Sequence, residues 1–485
     1  MILSLLFAFL IIAYFNYWLK RRLYWQKKNT KSVSGLLFLT GNRSLSEHLK
    51  EVYDSNPNQP QVGLFIGTRP ALILRDLKNV RAVLHGDYQS FHARGLITKT
   101  TEVLADNLLF AEDYNRWKLL RHKASVMFAT KYLKNMFDSI NICAKIFIVN
   151  AEKNPQVFEN PFQAVYSYVT GCISTATFDI DEETRKNMEI SFEEMASTPI
   201  KPSLKLSLKY ALISISKTLF DFLGLKFFDK YDTFWVNFID NLLEKQKRGK
   251  IKNDYIDSLL KLQDQGVIKD YVTDYETNVT KELLAAQAFV YVLGGIDSTA
   301  NTIHFTLLEL SNNPIILKKL HHEVDTIFES NNGTLMFEDL DNLEYLDKVI
   351  NEAMRKYPPV GTLQRICCND TVLPAGQLKV EKDTIVFIPV YALHRDENYF
   401  PNPEIFDPER FSAENLSKIS KYSYLPWGEG IRNCIAKIEV KVGLAWILRK
   451  YTLEEQSYTP DHFEPSFFSL RDPKAFYKII PRFTE

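Results

Sequence analysis

Residues 1–19, MILSLLFAFLIIAYFNYWL, form an uncharged apolar run broken only by Ser4 and Asn16. That length suffices for a helix crossing a bilayer, with Tyr17 and Trp18 at interface depth. Lys20, Arg21, Arg22, Lys27, Lys28 and Lys31 follow. The positive side is thus C-terminal, and the pattern predicts a body facing the cytosol. A cleaved signal peptide would want a basic residue before the run and a small-residue cleavage site after it, and neither is present. The short span predicts the endoplasmic reticulum membrane as host. Residues 20–60 read as a linker and the start of the body, which then runs over 61–485.

Within the body, QVGLFIGTRPALILR (61–75) predicts two short strands around the turn at Gly67–Pro70, and DLKNVRAVLHG a helix. Phe91 to Phe110 is irregular and predicts a flexible wall over a pocket. A helix is predicted from Tyr114 to Phe128, and mostly helical pattern from about 137 to 270. Residues 281–314 read as one long helix, apolar nearly all round and therefore buried. Two more helices follow, the second ended by Pro358–Pro359. VFIPVYALHRD reads as a strand and a turn, and FEPSFFSLRDP (463–473) as a hairpin. The fold class is mainly α with a small β subdomain near the N-terminal side, preceded by one transmembrane helix.

Composition narrows the class. Hydrophobic residues make up 46%, enough for a large core. Lysine plus arginine equals aspartate plus glutamate, 59 each, so no global field points to nucleic acid. Phe (33) and Tyr (24) are abundant, which suits a large apolar cavity. The five cysteines, Cys143, Cys172, Cys367, Cys368 and Cys434, offer no disulfide framework, which fits a reducing compartment.

The chemistry gathers in four places. In YSYLPWGEGIRNCIAK (422–437), Cys434 stands where a glycine-containing loop enters a helix. Free backbone N–H groups there favour a thiolate. No second cysteine lies within several residues, which argues against a zinc knuckle, whereas a single axial thiolate suits haem iron. Alone, such a cysteine reads as a buried free thiol. In the long helix, Gly294–Gly295 remove side chains ahead of Asp297, Ser298 and Thr299. A flat cofactor with bound dioxygen would use the bare backbone, the acid and the hydroxyl; a kink with a back-bonded serine is the plainer account. Trp117 and Arg121 share a helix face at i, i+4 and could donate to a carboxylate, although a solvated arginine explains this pair alone. Glu352 and Arg355, at i, i+3, form by themselves a surface ion pair worth little.

Together these stretches resemble the cytochrome P-450 family. WGEGIRNCIA is similar to its haem-binding loop, with Trp427 in place of Phe and Ala436 in place of the final Gly. Gly294, Gly295, Asp297 and Ser298 resemble its distal-helix motif, with Ser298 on the usual threonine position. Trp117 and Arg121 match Trp-x-x-x-Arg, and Glu352 and Arg355 match Glu-x-x-Arg, with Arg410 of FDPERF as the third member. The proline-rich hinge usual after the anchor is missing from SVSGLLFLTGN. The resemblance spans nearly the whole chain, and its wording is closest to microsomal insect enzymes that oxidise hormones, plant toxins and insecticides.

The resemblance implies a P-450 fold and haem b held by Cys434 as metal ligand. Trp117, Arg121, Gly294, Gly295, Arg365, Trp427 and Arg432 would bind the cofactor. Asp297 and Ser298 would relay protons. Val360, Thr362, Leu363 and the tip at Ser466–Phe468 would line the pocket, and His394 would be structural. The activity would be haem-thiolate monooxygenation of a lipophilic small molecule. Electrons would come from NADPH through a flavoprotein reductase, with cytochrome b5 as a further donor. Arg116, Lys118, Lys123, Lys131, Lys134, Lys437 and Lys441 would form the docking patch, or merely a solvated face. The region 213–235 would dip into the membrane. A haem-thiolate isomerase or dehydratase acting on peroxides, and a non-enzymatic haem or ligand carrier, are the alternatives.

Overall fold

The computed structural model describes residues 19–482, except 20, 22, 35–42, 68, 96–101, 126–129, 189–190, 198–202, 250–253, 427–434 and 467–468. The expected anchor, apart from Leu19, lies outside the described residues.

The architecture is mainly helical with small sheets, as predicted. The main helices are α1 (Leu45–Asp54), α2 (Tyr114–Ser125), α3 (Thr130–Lys153), α4 (Pro161–Phe178), α5 (Asp229–Lys247), α6 (Lys281–Asn312), α7 (Pro314–Ser330), α8 (Glu344–Lys356) and α9 (Ile435–Lys450). At its start, the Thr280 side chain accepts from Leu283 N, capping α6. The helix stops two residues short of the predicted end. Pro314 disfavours helical backbone at Asn313 and opens α7 instead. Among the described residues α6 alone is long and apolar enough to cross a membrane, but 67% of its apolar window is buried. It is a core helix, packed by α4, α5, α8 and α9.

The larger sheet has four strands, β1 (Gln61–Ile66), β2 (Arg69–Leu74), β3 (Leu363–Ile366) and β4 (Ile385–Ile388), in the order β1-β2-β4-β3. β1 and β2 form the predicted hairpin, with Phe65 opposite Pro70. β2 pairs parallel with β4, and β4 antiparallel with β3. The β subdomain is therefore not purely N-terminal: half its strands arrive from about 300 residues downstream. Apolar strands buried on both faces need partners, and only remote segments supply them.

The segment after the expected anchor is docked, not loose. Trp25 is buried, and its Nε1 donates to Leu64 O at 3.0 Å. Its ring lies over Gly63, where a Cβ would come within 2.4 Å of it. Tyr24 and Lys28 both bond Glu381, and Ser32 bridges Gly63. These contacts fix the start of the body where the proline hinge is missing.

Candidate active site

Glycine strips one face of α6. Gly294 is exposed in the middle of a buried helix, and nothing lies within 4 Å of the position its Cβ would take. Gln287, Tyr291 and Ser298, at helical spacing around it, are half-buried. Gly295 instead faces Ile173, whose Cδ1 would sit 2.9 Å from an added Cβ. Ser298 shares the open face and donates to Gly294 O at 2.6 Å, while Thr299 is fully buried. Of the two hydroxyls, that of Ser298 is therefore the one on the open face. Asp297 is only 2% exposed and makes an ion pair with Arg471 at 3.2 Å.

Three arginines meet on another wall. Among the described residues Arg365 on β3 keeps one bond, donating to Gln364 O at 2.8 Å, and its buried Nε has no partner there. Burial first, then Arg94 and Arg121, push its guanidinium down to about 9. Burial and Arg121 also lower Arg94. Tyr88 faces all three cations, though burial raises its hydroxyl overall. Arg121 stands over the buried Trp117 ring at 5.5 Å, the predicted i, i+4 pairing. Among the described residues no carboxylate pairs with any of the three. Such a cluster is costly unless an anion joins it.

Sequence reasoning missed Arg94 because it lies in the stretch expected to be a flexible wall. Residues 91–95 are pinned instead. Ile366 N donates to Ala93 O at 2.9 Å, and Gln364 Nε2 to Arg94 O at 3.1 Å. Gly95 adopts φ 63°, and an added Cβ would meet Ile366 within 2.1 Å. That glycine after an arginine was the available signal.

Behind the site, Glu352 and Arg355 on α8 are buried, not at the surface. Arg355 Nε and Nη2 donate to Glu352 at 2.7 and 2.9 Å, and Arg410 Nε reaches it at 3.3 Å. The expected triad is complete. Arg355 also donates to His394 O at 2.9 Å, and His394 Nε2 accepts from Leu425 N at 2.8 Å. His394 is structural, as expected, and secures the chain just before residues 427–434. Trp427, Arg432 and Cys434 lie outside the described residues.

Three expectations need correction. Lys441 is 3% exposed and pairs with Asp347 at 2.9 Å, so it belongs to no surface patch. Its neighbours in the expected docking patch are largely neutralised: Arg116 by Asp106, Lys118 by Asp270 and Lys134 by Glu338. Thr362 does not face the pocket; it is buried and bonded to Ser46 at 3.0 Å. The C-terminal hairpin closes through Glu464 N donating to Arg471 O at 2.8 Å, but no strand ladder forms among its described residues, and Ser469 bridges Val360 instead. Phe467 and Phe468 at its tip lie outside the described residues.

Guanidiniums around a tyrosine, without a carboxylate to answer them, suit a flat cofactor bearing acid groups. The bare face of α6 suits its ring. Both are what haem b presents, so the residues fit that group. The chain belongs to the cytochrome P450 family: the family model described as Cytochrome P450 matches residues 28–479. It is a P450 monooxygenase, and its cofactor is haem b.

Its relatives include Cytochrome P450 6k1 of Blattella germanica, 30% identical over 95% of this chain and 92% of the relative. Cytochrome P450 6B2 of Helicoverpa armigera is 30% identical over 98% and 97%. Probable cytochrome P450 6d4 of Drosophila melanogaster is 27% identical over 96% of each. The insect-like wording of the sequence agrees with these matches.

Proposed function

We propose that this monooxygenase inserts one oxygen atom of O2 into a lipophilic small molecule at the cytosolic face of the endoplasmic reticulum. Electrons come from NADPH through a flavoprotein reductase. The observation that carries the reading is the pairing, on one face of α6, of exposed Gly294 with the Ser298 hydroxyl. It puts a proton-bearing group beside a backbone that a ring and a small gas molecule can approach.

Cys434 is the metal ligand, with Trp427 and Arg432 beside the same cofactor. Arg94, Arg121 and Arg365 hold its acid groups by charge-assisted hydrogen bonds, and Trp117 packs beneath Arg121. Bound haem supplies the redox-active iron at which O2 is reduced. Ser298 holds a proton at Oγ, and Asp297 stands next to it in the chain as the acid that renews it. The apolar bulk of α6 and its neighbours excludes water from the rest of the site.

Membrane association has two supports. Residues 1–19 are apolar, and Leu208, Leu219, Phe222 and Leu223 crowd the short helices Leu204–Ile215 and Lys217–Phe222 with exposed side chains. Lys437, three residues beyond Cys434, stays exposed although it lies 3.7 Å from Asp347, and it supports reductase docking near the cysteine loop.

The test is Cys434→Ala, which abolishes the thiolate-type absorbance of the reduced carbonyl complex. An unchanged spectrum overturns the ligand assignment. Ser298→Ala should raise the share of NADPH electrons lost as hydrogen peroxide; unaltered coupling means another group carries the proton.

A further inference from the structure

The Asp297 carboxylate is shared with the C-terminal hairpin. Arg471 Nε approaches its Oδ1 at 3.2 Å. Asn301, one turn along α6, donates to Oδ2 at 3.2 Å. Arg471 is itself 6% exposed, with its guanidinium 5.6 Å from the Phe162 ring of α4 and Nε 3.7 Å from Glu464. A buried cation is sustained by the carboxylates beside it, here Asp297 and Glu464. Ser469 of the same hairpin bridges Val360, a residue expected to line the pocket. Ser298, meanwhile, donates to Gly294 O rather than to Asp297.

We propose that Arg471 is a positioning residue for the reaction: it holds the Asp297 carboxylate on the C-terminal hairpin, so that renewal of the Ser298 proton depends on this ion pair. The proposal rests on the reading of Asp297 as the acid behind Ser298. It adds that the acid is not free on its helix but tethered to the C-terminal hairpin. Burial pushes Asp297 up, and Arg471 is the largest opposing influence. Removing the guanidinium therefore leaves a buried acid bonded to Asn301 on its own helix, without its tie to the hairpin.

The experiment uses the full-length haem-loaded protein with reductase in phosphatidylcholine vesicles. The variants are Arg471→Met, Arg471→Lys, Asp297→Asn and Asp297→Asn/Arg471→Met. The reduced carbonyl spectrum checks that each folds and holds its cofactor. Two quantities are read: the share of NADPH electrons recovered as hydrogen peroxide, and the melting temperature. Arg471→Met should raise the peroxide share several-fold, Arg471→Lys should restore most of the coupling, and the double variant should match Asp297→Asn alone. Arg471→Met should also lower the melting temperature less in the Asp297→Asn background than in the native one.

If Asp297→Asn uncouples while Arg471→Met does not, the positioning role is wrong and the relay reading survives. If Asp297→Asn leaves coupling unchanged, both fall. Additive peroxide shares in the double variant also overturn the proposal, since Arg471 would then act through something other than Asp297. Should Arg471→Met lose its carbonyl spectrum, Arg471→Lys and the melting cycle decide: a lysine that fails to restore coupling refutes the ion-pair account.

Discussion

The backbone N–H of Leu425 donates to Nε2 of His394 at 2.8 Å, while Nδ1 of the same ring lies 3.2 Å from Arg355 O. One nitrogen accepts, so the other must carry the proton, and the ring is neutral. This histidine therefore joins the Glu352–Arg355 core to the approach of the cysteine loop. Burial, reinforced by Arg355, pushes it down to about 3.

Its consequence is an acid sensitivity with a defined sign. The unfolded chain protonates His394 near 6.5, and the native chain only near 3. The unfolded state thus binds more protons between these values. Stability is full above pH 6.5 and falls as pH drops, by about 1.4 kcal/mol per pH unit for one such group. Buried His304, pushed down to about 4, adds to the same slope. His394→Phe should lose about 1–3 kcal/mol at pH 7 by orphaning Leu425 N–H. It should also flatten the melting-temperature profile from pH 6.5 to 4. A parallel profile would show that the ring is not neutral in the native state.

Arg365 should change the sign of its contribution with the cofactor. In the haem-free chain its half-satisfied cation is a burden, and Arg365→Leu should raise the melting temperature. In the haem-loaded protein the same change removes a charge-assisted bond of about 1.5–3 kcal/mol and should speed haem loss about tenfold or more. Haem transfer to an acceptor globin measures the second effect. The same sign in both forms would show that Arg365 does not serve the cofactor.

Gly294 separates helix stability from access. Gly294→Ala meets nothing within 4 Å and should stabilise α6 by about 1 kcal/mol. Gly294→Leu would fill the open face, and should sharply weaken carbon monoxide binding without lowering the melting temperature. Normal carbon monoxide affinity in the leucine variant would move the gas-binding face elsewhere.

Glu439 on α9 is fully buried, and among the described residues neither carboxyl oxygen has a hydrogen-bond partner. Burial, then the neighbouring Cys143, pushes the acid up to about 8. The native chain therefore holds its proton where the unfolded chain has lost it. Stability is full below about 4.5 and declines as pH rises toward 8. Glu439→Met should raise the melting temperature, and by more at pH 8 than at pH 5. A gain independent of pH would count against a buried, protonated Glu439.

Much of this was legible in the letters. The β1–β2 hairpin, α6 and α8 follow from periodicity and proline punctuation, which act within a few residues. Trp117–Arg121 and Glu352–Arg355 follow from the helical repeat, which puts i, i+3 and i, i+4 on one face. Arg94 was not legible, because its role depends on β3 pinning an irregular stretch. Lys441 misled for the same reason. A charged letter in a helix reads as solvent-facing, and only packing shows that α9 is buried on nearly every side.

By itself the sequence determined the elements, the order of the motifs and the family, because local backbone preference and short-range spacing are written residue by residue. The tertiary structure alone decided which charges meet. It brought Arg94 to Arg365, Arg471 to Asp297 and Leu425 to His394, and it buried Lys441 against Asp347. Electrostatic energy depends on distance and burial, and for residues far apart along the chain neither is set until the fold closes.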